Sequence, residues 1–325
     1  MVIALGQSAM TTICLASNAE LSLQGNIGIR LLDAPVSRQD DPRAKSYIVD
    51  HLAPGTTISR RVEVTNATDT AQSIDLYPGA AAVHDNKFTF ADGKTPNELS
   101  KWMSVDQTRV TVAANGDATV TATIQVPASA SAGERYGVIW AQVTAPPSPA
   151  STIGMVSRVG IRVYLDVGAG GEPRSDFEIG GMTTARGPDG RPEVRADVHN
   201  TGQRTLDMSG SLILSDGPGS LSTGPFDVTA GTTLAPEASA SVSVVLDSQL
   251  PIGPWSASLT LRSGLIDRTV NATITFPDQT GRGGSVDVSG WSWLGVVAIA
   301  LLVLATAVVL ATALRRRAIR RRQRV

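Results

Sequence analysis

The sequence predicts an all-β protein made of tandem immunoglobulin-like β-sandwiches followed by a single C-terminal transmembrane helix. Three observations lead to this prediction. Apolar residues recur at every second position in short runs that Gly, Pro and Asn interrupt, which is typical of half-buried strands. Two blocks of the chain resemble each other, Val62–Asp69 and Ala196–Gln203. A long uncharged apolar run also lies near the C-terminus.

The first sandwich is predicted over residues 25–168. Its opening strand contains Ile27, Ile29 and Leu31, and its clearest half-buried strand is Ser157–Val167, in which Val, Ile and Leu alternate with polar residues or glycine. The stretch Tyr136–Val143 is apolar on both faces, as a central strand would be. The charged stretch Asp33–Ser46 is predicted to be a solvated loop, with a loop that grips a charged polymer as the alternative.

A second sandwich is predicted over residues 174–277, after a linker at Gly168–Pro173. Its short strands repeat the order found in the first half, with a strand, a proline-containing bend, a glycine and another strand. Residues 278–290 are rich in Gly, Ser and Asp, and we expect them to form a flexible tether.

The membrane helix is predicted over residues 291–314. Leu294–Leu314 contains no charged residue, and 21 residues of α-helix span about 31 Å, enough to cross a hydrocarbon core. Trp291 and Trp293 suit one headgroup layer. The basic tail, residues 315–325, begins with Arg315, Arg316 and Arg317 and favours the cytoplasmic side. We therefore expect a single-pass protein of the cell membrane with its N-terminal domains outside the cell.

Residues 1–19 are predicted to be a signal peptide, because they are uncharged, modestly apolar and end in Ser17-Asn18-Ala19. The usual basic region is missing, so Met1 is expected to lie inside a longer signal peptide. The single cysteine, Cys14, falls in this leader, so the exported part is expected to fold without disulfides.

Composition argues against several classes of function. Removing the seven tail arginines from the 28 basic residues leaves 21 against 29 acidic residues, a charge of −8, which disfavours nucleic acid as a partner. The three histidines, His51, His84 and His199, are scattered and predicted to be surface or turn residues. With no cysteine and histidine cluster and no calcium-loop spacing, we expect no enzyme, no catalytic residue, no metal and no cofactor.

Several segments carry a resemblance to a known family. They are Gly28–Pro35, Ala53–Asn66, Ile124–Val143, Ser157–Leu165 and Phe177–Met182. Together with the apolar run and the basic tail, they resemble the bacterial WxL-interacting protein family in an actinobacterial form. The resemblance implies an N-terminal domain that binds peptidoglycan, a second domain that binds protein partners, and a C-terminal membrane span. The chain has no Trp-x-Leu motif, so the resemblance is to the partner type.

Glycan binding would use aromatic faces with arginines that hold carboxylates. Trp102 lies in a polar stretch, and Tyr164 shares the polar face of its strand with Arg162, so these three residues are the predicted surface ligand-binding residues. For Trp102, covering a loop is the alternative. Trp140 and Trp255 are instead predicted to be buried in the core.

The first functional hypothesis is a non-enzymatic, membrane-anchored surface protein that binds peptidoglycan, a secreted or surface protein, or both, in adhesion or envelope assembly. The alternative is an extracytoplasmic chaperone or assembly factor that lends or accepts a strand at a sheet edge. A signalling receptor would need a separate cytoplasmic partner, because the tail after Leu314 is too short for a folded domain.

Overall fold

The computed structural model describes residues 27–145 and 154–286, and β-strands account for most of them. The chain folds as two compact units that divide between Gly170 and Gly171, inside the predicted linker. Two short segments, 40–42 and 83–89, group with the second unit. The prediction of an all-β chain built from immunoglobulin-like sandwiches is confirmed for the described residues.

The first sandwich is formed by ten strands, and two one-turn α-helices accompany it. The strands are β1 (Ile27–Leu31), β2 (Ile48–Leu52), β3 (Thr57–Asn66), β4 (Gln72–His84), β5 (Lys87–Phe90), β6 (Met103–Val105), β7 (Arg109–Val112), β8 (Asp117–Gln125), β9 (Gly133–Ala145) and β10 (Met155–Val167). The helices are α1 (Pro42–Ser46) and α2 (Glu98–Trp102), and a 3-10 turn covers Val36–Arg38.

Two sheets form the first sandwich. One has the strand order β1-β3-β8-β6, and the other has the order β2-β10-β9-β4-β5, with β7 also paired to β4. Alternate residues of the long strands point between the sheets, and Val62, Ile74, Val120, Ile139 and Val163 are buried there. This core follows directly from the period-two pattern of the sequence.

The second unit has the same two-sheet plan. Its strands are β11 (Phe177–Arg186), β12 (Pro192–Asn200), β13 (Leu206–Asp207), β14 (Ser209–Gly217), β15 (Leu221–Asp227), β16 (Thr233–Leu234), β17 (Ser239–Val245), β18 (Trp255–Ser263), β19 (Ile266–Ile274) and β20 (Gly281–Val286). The sheet orders are β17-β12-β11-β20 and β15-β14-β18-β19, with β13 and β16 as a separate pair. Trp255 is buried in the core between them, as predicted, and donates its indole N–H to the Pro251 carbonyl at 3.0 Å.

A buried asparagine occupies the same place in each unit and supports the predicted repeat. Asn66 ends β3, and its amide nitrogen donates to the carbonyls of Thr70, Val112 and Ala113 at 2.8–3.2 Å. Asn200 ends β12 and donates in the same way to the carbonyls of Arg204, Leu234 and Ala235 at 2.9–3.0 Å. The side-chain oxygen of each accepts the backbone N–H two residues further on.

Two sequence predictions are wrong in this part of the chain. Residues 278–290 were expected to be a tether, but Gly281–Val286 is strand β20, which pairs with β11. Glycines allow that close approach, since a Cβ at Gly283 would overlap the Thr184 hydroxyl. The stretch Asp33–Ser46 was expected to be a solvated loop, yet Pro42–Ser46 forms helix α1, and Asp41, Arg43 and Ala44 are buried, while the rest of the stretch is exposed or half-buried.

The predicted signal peptide and membrane helix lie outside the described residues. The same is true of Trp291, Trp293 and Arg315 to Arg317. Within residues 27–145 and 154–286, no helix is long and apolar enough to cross a membrane. The predictions for the two ends of the chain therefore stay predictions.

Candidate functional site

Strand β10 has a partly open edge. It pairs with β9 along all 13 of its residues, but the parallel strand β2 pairs only with Val163–Val167. Among the described residues, no strand pairs with Met155–Arg162 on the side opposite β9; we call this segment the open edge. Strand β1 approaches β10 without pairing with it. Val156, on the open edge, has 61% of its surface exposed.

Side chains of β10 alternate between the core and the outer face of the sheet. Val159 and Ile161 point toward the core, whereas Arg158, Gly160 and Arg162 lie on the outer face. A strand added at the open edge would therefore meet apolar side chains on one of its faces and arginines on the other.

An apolar group that we call the indole patch, Tyr77, Val138 and Trp140, lies on the outer face. Trp140 faces Gly160 across the β9–β10 ladder, and a Cβ at Gly160 would lie 2.7 Å from its ring. A Cβ at Gly79, on the opposite neighbouring strand, would lie 2.7 Å from the indole nitrogen. The two glycines thus leave room for the indole to lie across the sheet. Trp140 is buried as predicted, but in this patch and not between the sheets.

Trp140 is covered by an arginine and a phenylalanine. The Arg158 guanidinium carbon lies 4.4 Å from the ring centroid, a cation–π distance, and the Phe90 ring centroid lies 4.9 Å away. The indole N–H has no hydrogen-bond partner among the described residues, although Trp140 is only 6% exposed. Arg158 forms no ion pair with a described carboxylate, so its charge is available to an acidic partner.

A second group, the tyrosine cluster, comprises Tyr47, Tyr136 and Tyr164. The Tyr164 ring centroid lies 5.9 Å from that of Tyr47 and 6.0 Å from that of Tyr136. The Arg43 guanidinium carbon lies 4.0 Å above the Tyr164 ring, and that of Arg162 lies 5.3 Å from the Tyr47 ring. The expectation that Tyr164 is a surface residue is wrong, because Arg43 and Tyr47 from the 33–47 stretch cover it completely.

Trp102 is not part of the same surface. It ends α2, is partly buried and packs against the core of the first sandwich, with the Arg135 guanidinium carbon 4.9 Å from its ring centroid. Arg162 and Tyr164 lie on the outer face of the sheet. The structure therefore brings together only two of the three predicted ligand-binding residues, and their role in binding stays a prediction.

Both ring nitrogens of His51, the one histidine beside a buried carboxylate among the described residues, contact other protein groups. The Nδ1 atom of His51 lies 2.5 Å from a carboxylate oxygen of Asp166, and Nε2 lies 3.2 Å from the Gly170 carbonyl oxygen. Neither ring nitrogen is left to activate a nucleophile. Within the described ranges, no group of three or more His, Cys, Asp or Glu residues is arranged to hold a metal ion.

A buried carboxylate, that of Asp50, lies in the middle of β2. Burial raises the pKa of Asp50, while the Arg60 guanidinium, 2.6 Å away, opposes that shift. The opposite case is Asp33, where the hydrogen bond from Arg61 lowers the pKa. The contributions of Asp50 and Asp33 to the stability of the first unit therefore change with pH in opposite directions.

Sequence reasoning found Arg162 and Tyr164 but missed Phe90, Arg43 and Arg158. The run Arg158-Val159-Gly160-Ile161-Arg162 did contain a signal, since a glycine between two outward arginines marks space for a large neighbour. Nothing local to Phe90 or Arg43 indicates which strand they cover.

No family model matches the chain, and no curated protein matches it. Solved structures do show partial similarity. Three of them are chaperones. The Pseudomonas aeruginosa CupB2 chaperone is 11% identical with a TM-score of 0.36 and covers 75% of this chain and 97% of its own. The E. coli chaperone DraB is 12% identical with a TM-score of 0.36, covering 74% and 94%, and the YadV chaperone is 12% identical with a TM-score of 0.37, covering 81% and 99%. Such low similarity carries no argument about what this chain binds.

Proposed function

We propose that the chain is a non-enzymatic binding protein outside the cytoplasm, which acts as a chaperone or assembly factor for secreted or surface proteins. Its first sandwich would hold an extended segment of the client by backbone pairing along the open edge, Met155–Arg162. The observation that carries this proposal is the mismatch between β10 and β2, in which only five of 13 residues are paired. Unpaired backbone groups at a sheet edge favour addition of a strand.

The side chains beside the open edge specify the client segment. One face of an added strand would lie beside Val159 and Ile161, at the margin of the core, and would favour apolar residues. The other face would lie beside Arg158, which forms no ion pair with a described carboxylate, and would favour an acidic residue there. The client segment is therefore about eight residues long and alternates apolar and acidic side chains.

Peptide binding to the full chain tests this pattern. A fluorescent octapeptide of alternating Val and Glu should raise fluorescence polarisation on binding, whereas alternating Val and Lys should bind weakly. The variant Arg158→Glu should reverse that preference. Lys101→Glu is the matched control, since Lys101 is an exposed residue of α2 outside β10 and should leave binding unchanged. Equal binding of both peptides, or no reversal in Arg158→Glu, would refute the pairing geometry.

Peptidoglycan binding with a role in adhesion is the second candidate. It is supported by the family resemblance and by the indole patch, where Trp140 has an unpartnered N–H beneath Arg158 and an exposed aromatic neighbour, Phe90. Stem-peptide carboxylates would suit the arginine, and a sugar ring would stack on the exposed part of Phe90, since Trp140 itself is covered.

Cosedimentation of the full chain with insoluble peptidoglycan tests this second candidate. Phe90→Ser should lower the bound fraction and Lys101→Glu should not, because only Phe90 borders the patch. No enrichment over a control sandwich protein would exclude wall binding by this surface.

We further propose that residues 291–314 anchor the protein in the cell membrane, with Trp291 and Trp293 outside and Arg315, Arg316 and Arg317 in the cytoplasm. Protease treatment of intact cells should remove the region before Trp291. Survival of that region on intact cells, with digestion after lysis, would contradict the topology.

A further inference from the structure

The second unit has a concave site of about 330 Å³ on its β15-β14-β18-β19 sheet, lined by polar side chains and by Val228. Its lining includes Ser209, Gly210, Ser211, Asp227, Thr260 and Arg262. Three hydroxyl groups thus lie between one carboxylate and one guanidinium. None of these residues takes part in the surface described for the first unit.

Strand register places the two charges on opposite sides of the site. Ser211 of β14 pairs with Asp227 on β15 and with Thr260 on β18, while Ser209 pairs with Arg262. Asp227 and Arg262 are therefore separated by two strand spacings and by two residues along the strand, or about 12 Å between Cα atoms. Their side chains share one face of the sheet, because paired residues and residues two apart point the same way.

Neither charge, on Asp227 or on Arg262, forms an ion pair within the part of the chain that the structure describes, even though Asp267 lies opposite Arg262 in the β18–β19 ladder. In most ion pairs of this protein the arginine reaches its carboxylate within about 3 Å, as Arg195 does with Glu193 at 2.8 Å. The site can therefore interact with a ligand that carries a positive group for Asp227 and a negative group for Arg262.

Glycine shapes the floor of the site. Gly210 has a φ of +156°, and a Cβ there would overlap the Thr260 carbonyl oxygen, so only glycine fits between the flanking strands. The Ser209 hydroxyl donates to the Arg262 carbonyl oxygen at 3.3 Å and the Thr260 hydroxyl lies 2.9 Å from that of Thr269, so each keeps only part of its hydrogen-bonding capacity for a ligand, whereas the Ser211 hydroxyl can both donate and accept. The floor is polar but uncharged, as suits the peptide groups of a short ligand.

We propose that this site binds a short zwitterionic peptide of two or three residues. Its ammonium group would lie at Asp227, its carboxylate would accept hydrogen bonds from Arg262, and its backbone amides would contact the hydroxyl floor. An extended peptide of that length spans about 7–10 Å, which matches the gap once the two side chains extend into it. No aromatic side chain lines the site, and this argues against a sugar that stacks on a ring.

Calorimetric titration of the full chain with triglycine tests the assignment. Triglycine should bind, whereas triglycine acetylated at its N-terminus and amidated at its C-terminus should bind at least about 10-fold more weakly, because both charge-assisted hydrogen bonds are lost. Glucose should not bind. The capped peptide needs no variant, so a folding defect cannot account for its result.

Two variants test whether Asp227 and Arg262 bind the charged ends of the peptide. Asp227→Asn and Arg262→Gln should each weaken triglycine binding by about 10-fold or more. Asp216→Asn removes a carboxylate from β14, the strand that contributes Ser209 and Ser211, but outside the site, and it should leave binding unchanged. Equal binding of free and capped triglycine, absence of triglycine binding, or binding of glucose alone would overturn the proposal. None of these outcomes bears on the open edge of the first unit.

Discussion

Replacing the single buried side chain of Asn66 should lower the unfolding free energy of the first sandwich by several kcal/mol. The residue is 1% exposed and makes five side-chain hydrogen bonds, donating to the carbonyls of Thr70, Val112 and Ala113 and accepting from the N–H and hydroxyl of Thr68. Asn66→Ala leaves these buried partners without the amide. Each buried polar group left unsatisfied costs about 1–3 kcal/mol. Because water can reach some of these groups, we expect the unfolding free energy to fall by about 3–5 kcal/mol.

Asn66→Asp separates the donated bonds from the accepted ones. A carboxylate keeps the two bonds from Thr68 but turns three favourable contacts with carbonyl oxygens into repulsive ones. We expect it to destabilise at neutral pH at least as much as Asn66→Ala. Because such a carboxylate has a raised pKa in the folded state, part of its stability should return on acidification and be lost again as the pH rises.

Urea unfolding followed by intrinsic fluorescence measures both changes. Gln125→Ala is the matched control, since it removes an exposed amide from β8 and should change the unfolding free energy by less than about 0.5 kcal/mol. A cost for Asn66→Ala no larger than that of Gln125→Ala would refute the view that a buried amide joins the loops at this end of the sandwich.

Further predictions concern stability. Asn200→Ala should destabilise the second unit by about 3–5 kcal/mol, because its amide makes the equivalent bonds, and calorimetric unfolding with Asn66→Ala should show additive losses. Gly160→Val should cost about 1–3 kcal/mol and alter the fluorescence of Trp140, since a side chain would displace the indole. Burial raises the pKa of Asp50 above the ordinary 3.8, so this residue contributes most to folding stability below pH 3.8. The stability of the native protein relative to Asp50→Asn should therefore fall as pH rises through the raised pKa. Asp33 has a lowered pKa, so stability relative to Asp33→Asn should be present above pH 3.8 and fall as pH drops through the lowered pKa. Urea unfolding between pH 3 and 7 checks both signs.

The fold could be predicted because alternation reports burial on one face. The alternating apolar side chains of Ser157–Val167 are found in the core of the first sandwich, and the repeated Asn66 and Asn200 blocks occupy equivalent strand ends. The order of strands within each sheet is a property of long-range pairing, which local periodicity does not encode. The short strand β20 was missed for a related reason, since its glycines carry no pattern and its position depends on β11.

The candidate site could be predicted only in part. The alternation of apolar and polar residues in β10 predicts that Arg162 and Tyr164 lie on the outer face of the sheet, but it does not show whether other residues cover that face. The covering of Tyr164 by Arg43 depends on how the 33–47 stretch packs, and no local signal reports that packing. The open edge is a mismatch in length between β2 and β10, so it becomes visible only when the pairing is known.

Amide hydrogen exchange of β10 tests the open-edge proposal most directly. Exchange of the full chain should be followed with and without a saturating amount of the alternating Val and Glu octapeptide. Amides within Met155–Arg162 should exchange more slowly when the peptide is bound, while those of Val163–Val167, already beside β2, should change little. Binding of the peptide with protection elsewhere and none in Met155–Arg162 would contradict strand addition at this edge.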